Sequence, residues 1–169
     1  NLGLDNGAFG SLMSTGSIGA FFGLLTTGHI IHRVGVKRVT IVSIVILYAS
    51  LISLVHISST IPFLIFSIGF GFGITAIHVA INSQAFHFND RSGTNIVTSA
   101  QGYWSAGALS TAIASGLLVD RVSLVTHITV LSVILAAAMI AIVISLHPVL
   151  LTANTDSESQ YSMKEIFTS

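Results

Sequence analysis

The side chains able to bind or react are few, and the charged ones stand apart from the rest. The 169 residues include six Lys or Arg, six Asp or Glu and seven His, with no cysteine. Lack of thiols excludes disulfides and thiolate metal sites. His29 and His32 are three residues apart, as two ligands on one helical face would be, but no third ligand follows nearby, so no metal site is expected. The chain contains no G-x-S-x-G, the strained turn that presents a nucleophilic serine. Gly69-Phe70-Gly71-Phe72-Gly73 has no Lys after it and lies in apolar sequence, so it is no phosphate loop. Neither an enzyme nor a cofactor is expected. What remains is the chemistry of neutral groups: His78, Asn82 and Gln84 in one stretch, Gln101, Trp104 and Ser105 in the next. On a helix His78 and Asn82 share a face, and Gln101, Trp104 and Ser105 share another. An indole beside amides suits stacking and hydrogen bonding to a polyol or a similar neutral solute. The same amides also serve to hold helices together, at about 0.6 kcal/mol each in a membrane. Both readings stand for His78, Asn82, Gln101 and Trp104.

The elements that carry these groups follow from hydropathy. The chain is 52% hydrophobic and 7% charged, with a mean hydropathy of +0.89, whereas a water-facing surface takes about 25% charge. The formal net charge is zero, which excludes nucleic acid bound by bulk charge. Five apolar stretches lie between the charges, at residues 7–31, 39–57, 61–86, 96–119 and 124–147. Each is about 19 to 26 residues, or roughly 29 to 39 Å as a helix, enough to cross hydrocarbon. The expected fold is an all-α membrane bundle of five transmembrane helices in residues 1–150, with residues 151–169 a polar cytoplasmic tail. Thr60 before Ile61-Pro62 reads as a cap, and Pro148 stops the last span. No Asp, Glu, Lys or Arg lies in the interior of a span, so no intramembrane ion pair or acidic proton relay is expected. Counting along the third and fourth spans, His78 and Trp104 both lie about 12 Å from the cytoplasmic end, Asn82 and Gln101 about 6 to 7 Å. Trp104 is then too deep for the interfacial aromatic belt.

Basic residues orient the spans. Arg33, Lys37, Arg38 and Arg91 lie in the first and third connections and Lys164 in the tail, against Arg121 alone in the fourth. The first and third connections and the tail are therefore expected in the cytoplasm. A self-match at an offset of 88 residues lays Gly16-Ser17-Ile18-Gly19-Ala20 and Gly28 through Val34 over Trp104-Ser105-Ala106-Gly107-Ala108 and Gly116 through Val122. Ser17/Ser105, Gly19/Gly107, Ala20/Ala108, Gly28/Gly116, Arg33/Arg121 and Val34/Val122 are identical. An odd number of helices separates the copies, so one is flipped: an inverted-topology repeat, as in secondary transporters. Pairing the copies leaves the third span, 61–86, without a mate, which is expected just upstream of Asn1. The start at Asn1-Leu2-Gly3, with no initiator Met, fits a segment of a longer protein. Gly19/Gly23, Gly69/Gly73 and the stripe Gly107, Thr111, Ser115 read as faces for close helix approach.

The segment Gly28-His29-Ile30-Ile31-His32-Arg33-Val34-Gly35-Val36-Lys37-Arg38 resembles the loop between the second and third helices of major facilitator transporters, G-x-L-x-D-R-x-G-R-[KR]-[KR]. Gly71-Phe72-Gly73 through Asn82-Ser83-Gln84, followed by Tyr103-Trp104-Ser105-Ala106-Gly107, is similar to the branch holding fucose-permease-like carriers and sugar or drug exporters. The resemblance covers nearly the whole chain, as helices two to six of twelve. It implies an N-terminal half-transporter in the bacterial inner membrane that moves a small solute by alternating access, with a first helix and a C-terminal half elsewhere in the same polypeptide. It implies a cytoplasmic gate at Gly28, His32, Arg33, Gly35, Lys37 and Arg38. His32 stands where the family has an acid, so it offers a hydrogen-bond partner but not a fixed anion. The basic residues of this loop also serve simply to fix topology. The other reading of the whole is a non-transporting membrane scaffold or sensor that kept the fold.

Overall fold

The computed structural model describes residues 6–92, 96–118 and 121–146. Six helices follow one another: α1 (Asn6–Ser14), α2 (Gly16–Val34), α3 (Val36–His56), α4 (Thr60–Ser92), α5 (Ile96–Leu118) and α6 (Leu124–Ser145). The described residues contain no strand. Among the described residues, three helices are long and apolar enough to cross a membrane: α3, the Thr60–Phe86 part of α4, and α6. Gly, Ser, Thr and His dilute the apolar content of α2 and α5.

Several boundaries differ from the sequence reading. The expected first span is broken at Thr15, whose hydroxyl and amide both turn back to the Leu12 carbonyl, at 2.6 and 3.2 Å. Ile18 N–H in turn donates to the Thr15 carbonyl at 3.0 Å. These three-residue closures tighten the backbone and separate α1 from α2. Thr60 is not the cap of α4 but its first residue, and the Ser59 carbonyl accepts from Phe63 N–H at 3.2 Å. Pro62 still falls in the first turn, where its missing N–H leaves no bond unmade. The helix continues past Phe86 to Ser92, because the polar run from His87 keeps helical bonding after hydrophobicity ends. Its 33 residues make about 50 Å of helix. Ser123 caps α6, its hydroxyl accepting from Thr126 N–H at 3.2 Å. Leu146, in extended conformation, closes α6. Val119, Pro148 and the tail 151–169 lie outside the described residues.

The bundle is organised around α4, with α2 on one side and α3 on the other; α6 packs on α3, and α5 lies mainly against α4. Glycines set the two inner crossings. Side chains at Gly19 or Gly71 would collide with backbone, that of Ile68 for Gly19 and that of Gly16 for Gly71. A Cβ at Gly23 would meet the Phe72 carbonyl at 3.1 Å. The pairing of 16 with 67, 19 with 68 and 23 with 72 and 75 shows that α2 and α4 run parallel. On the opposite flank of α4, a Cβ on Gly73 would fall 2.8 Å from the Leu47 amide nitrogen, and one on Gly69 would fall 2.6 Å from Ser50 Oγ. Rising numbers on α4 meet falling numbers on α3, so these two helices are antiparallel. Close backbone approach of this kind lets dispersion contacts replace the hydrophobic drive that lipid does not supply.

The distribution of polarity is compatible with a protein in hydrocarbon. Thr27, Thr40, Ser43, Ser50, Ser67 and Ser132 are buried, while Phe21, Phe22, Leu24, Leu25, Val45, Ile134 and Ile142 are exposed. Thr27 and Thr40 spend their hydroxyls on the carbonyls of Gly23 and Val36, so they bury no unmade donor. Continuous exposed apolar surface of this sort would drive aggregation in water. It is the ordinary condition in a bilayer.

Between α2 and α3 the chain turns on a single residue. Gly35 has φ +86° and ψ 147°, a region essentially reserved for glycine. Its N–H closes α2 on the Ile31 carbonyl at 2.9 Å. Ile31, Val36, Val39 and Ala80 then form a tight apolar cluster at this end of the bundle.

Candidate functional site

The two rings that the depth count sets level do meet. His78 on α4 and Trp104 on α5 face each other edge to face, with ring centroids 6.3 Å apart and planes at 75°. Such a pair contributes about 0.5–1.5 kcal/mol beyond its buried area. Both rings remain exposed, Trp104 by 62%. Asn82, one turn along α4 from His78, is half-buried, and Gln101 on α5 is exposed. Ser105 turns its hydroxyl onto the Gln101 carbonyl at 3.0 Å. The structure therefore brings His78 and Trp104 together, and no hydrogen bond or ring contact joins Asn82 or Gln101 to them.

The residues of the Gly28–Arg38 segment divide. Gly28 has open space around it, and His32 and Arg33 are exposed at the end of α2. Gly35 makes the turn. Lys37 reaches across to α6, its Nζ donating to the Ile144 carbonyl at 2.9 Å. That carbonyl belongs to the last turn of α6, where the helix leaves acceptors unpaired and a cation complements the dipole. Arg38 is exposed and borders a recess of about 260 Å³ between α2, α3 and α4. The segment thus ties the start of α3 to the end of α6, a tie that spacing alone did not reveal.

The strand of contacts fixes which ends coincide. Arg33, Lys37 and the end of α6 lie at one end of the bundle. The Ser115 hydroxyl, near the end of α5, meets His127 Nε2 in the first turns of α6 at 3.2 Å, so Arg121 between them lies at the other. Sequence reasoning put Ser115 in a packing stripe and did not single out His127. The signal available was an imidazole three residues into a strongly apolar helix.

Gln84 was noted in the sequence with His78 and Asn82 but has a different surrounding. Both its amide atoms are buried without a hydrogen-bond partner, and it borders a cavity of about 240 Å³ with Val36, Thr40, Phe88 and Val143. An unpaired buried amide costs roughly 2–7 kcal/mol, so Gln84 is a costly group where it stands. Among the described residues no three His, Asp or Glu side chains gather into a possible metal site. Compared with family models, with curated proteins and with solved structures, the chain matches none.

Proposed function

We propose that this chain is part of the N-terminal half of a major-facilitator-type secondary transporter and that it moves a small neutral solute, sugar-like or drug-like, by alternating access. In this reading α2 and α5 join α3, α4 and α6 as membrane spans, five in all within residues 1–150, and residues 151–169 form a cytoplasmic tail. The membrane is the bacterial inner membrane, with Arg33, Lys37, Arg38 and Arg91 on the cytoplasmic side. His78, Asn82, Gln101 and Trp104 line the solute path, which a C-terminal half of the same polypeptide closes from the other side. Gly28, His32, Arg33, Gly35, Lys37 and Arg38 form the cytoplasmic gate, and rocking of one half on the other exposes the site to each side in turn.

The observation that carries the reading is the His78–Trp104 contact, an aromatic pair at matching depth on a flank that the bundle's own helices leave uncovered. The opposed course of α2 and α5 supports it, since a flipped repeat requires the two copies to run in opposite directions. By the same repeat, an upstream helix would lie over Gly107 of α5 as α4 lies over Gly19 of α2. The test is Trp104→Ala in the complete protein, reconstituted in vesicles and offered a panel of sugars and lipophilic drugs. Transport is expected to fall at least tenfold with unchanged protein in the membrane. Unaltered transport would remove Trp104 from the path, and no transport by the unmutated protein would favour a scaffold or sensor.

A further inference from the structure

A third pocket lies away from the His78–Trp104 flank, toward the opposite end of the bundle, between α3, α5 and α6. Its volume is about 340 Å³, within the range of small-molecule sites and larger than a packing defect. The walls are mostly apolar, including Leu51, Leu118, Ile128, Leu131 and Leu135. The polar groups sit unevenly. Ser115 and His127, hydrogen-bonded to each other at 3.2 Å, stand at the helix ends. Leu131 and Leu135 lie deeper, Leu135 about 12 Å further along α6 than His127. Tyr48, at the deep end, has its hydroxyl directed to Met139 Sδ at 3.4 Å. Ser132 adds a second hydroxyl beside Leu131 and Leu135, so the imidazole and Ser115 stand at the mouth and the deeper wall is apolar apart from Ser132 and Tyr48.

We infer that this pocket holds one acyl chain of a membrane glycerolipid, with an ester carbonyl at the Ser115–His127 pair. Three observations choose this occupant. Water fills the depth poorly, because a stable buried water needs two to four polar partners and the deep wall offers two hydroxyls, of which that of Tyr48 is already directed to Met139. The mouth lies within the first turns of α6, at the level where a lipid's ester groups meet its chains, given that α6 spans the bilayer. The pair retains hydrogen-bonding capacity when joined: whichever tautomer His127 adopts, the ring and the hydroxyl together keep a donor for a carbonyl oxygen. The lipid would also fill the gap between α5 and the α3–α6 pair, where the Ser115–His127 bond bridges α5 and α6. This inference needs only that α6 crosses the membrane and stands apart from the transport reading.

The complete protein in phosphatidylcholine vesicles, with a trace of phosphatidylcholine carrying a diazirine in mid-chain, tests it by irradiation and peptide mass spectrometry. Adducts are expected on Leu118, Ile128, Leu131 and Leu135 in preference to Ile134 and Ile142 on the open face of α6. Leu131→Trp, which fills the pocket, should reduce those adducts at least tenfold. Leu135→Trp serves as a second filler should the first variant fold poorly. His127→Ala should reduce them about threefold, since the chain site survives while its anchor is lost. Adducts spread equally over Ile134 and Ile142, or adducts indifferent to both Trp fillers, would each overturn the inference.

Discussion

On α2, Gly19 and Gly23 lie against the backbone of α4, and any side chain at Gly19 would collide with it. On α5, Gly107 occupies the position that the 88-residue repeat assigns to Gly19, yet a Cβ added there meets nothing within 4 Å. The residues around the two glycines are alike, Ser17-x-Gly19-Ala20 against Ser105-x-Gly107-Ala108. Their environments differ because α2 has a parallel neighbour in α4 and α5 has none among the described helices. A small-residue face is thus an offer of close approach, and whether it is taken up depends on which helices stand beside it. The uncovered side of α5 also explains why Trp104 and Tyr103 are so exposed, at 62% and 81%.

Substitutions can break or sharpen this contrast. The largest effect is expected from Gly19→Leu, which drives a branched side chain into the Ile68 carbonyl and must separate α2 from α4. Overpacking costs about 1–3 kcal/mol in ordinary cores, and a backbone crossing belongs at the upper end, visible as a lowered melting temperature in detergent. Gly107→Leu in the complete protein is expected to cost nearly as much, because the proposed upstream helix would cover it. A silent Gly107→Leu would remove that helix from this face and leave the contrast as it stands. Gly35→Ala is expected to cost about 1–3 kcal/mol in the same assay, because alanine is strained at φ +86°. Lys37→Met should have the smallest effect. Losing its bond to the Ile144 carbonyl removes about 0.3–1 kcal/mol, which hydrogen exchange at the end of α6 would register as faster opening.

Much of the helical layout was legible from hydropathy and charge. The stretches between charged residues correspond to α2 through α6, and the polar connections at Gly35, Ile57–Ser59 and Arg121–Ser123 fall where helices end. The break at Thr15 was not legible, because Thr-Gly within an apolar run is compatible with an unbroken helix until Thr15 turns back to Leu12. The continuation of α4 to Ser92 was missed for the opposite reason: hydropathy marks where hydrocarbon would end, while backbone hydrogen bonding persists into polar sequence. For the candidate site, helical rise alone brought His78 level with Trp104. Helical rise says nothing about lateral packing, so the Lys37–Ile144 bond, the buried amide of Gln84 and the Ser115–His127 pair emerged only with the fold.

The central claim is that α2 and α5 cross the bilayer in opposite directions, placing residues 33 and 121 on opposite sides. These 169 residues have no cysteine, so Arg33→Cys and Arg121→Cys can each be introduced singly, with any cysteine elsewhere in the complete polypeptide first replaced by serine. A membrane-impermeant maleimide applied to intact cells should label position 121 and spare position 33 until the membrane is opened. Labelling of both positions from the same side would contradict the account.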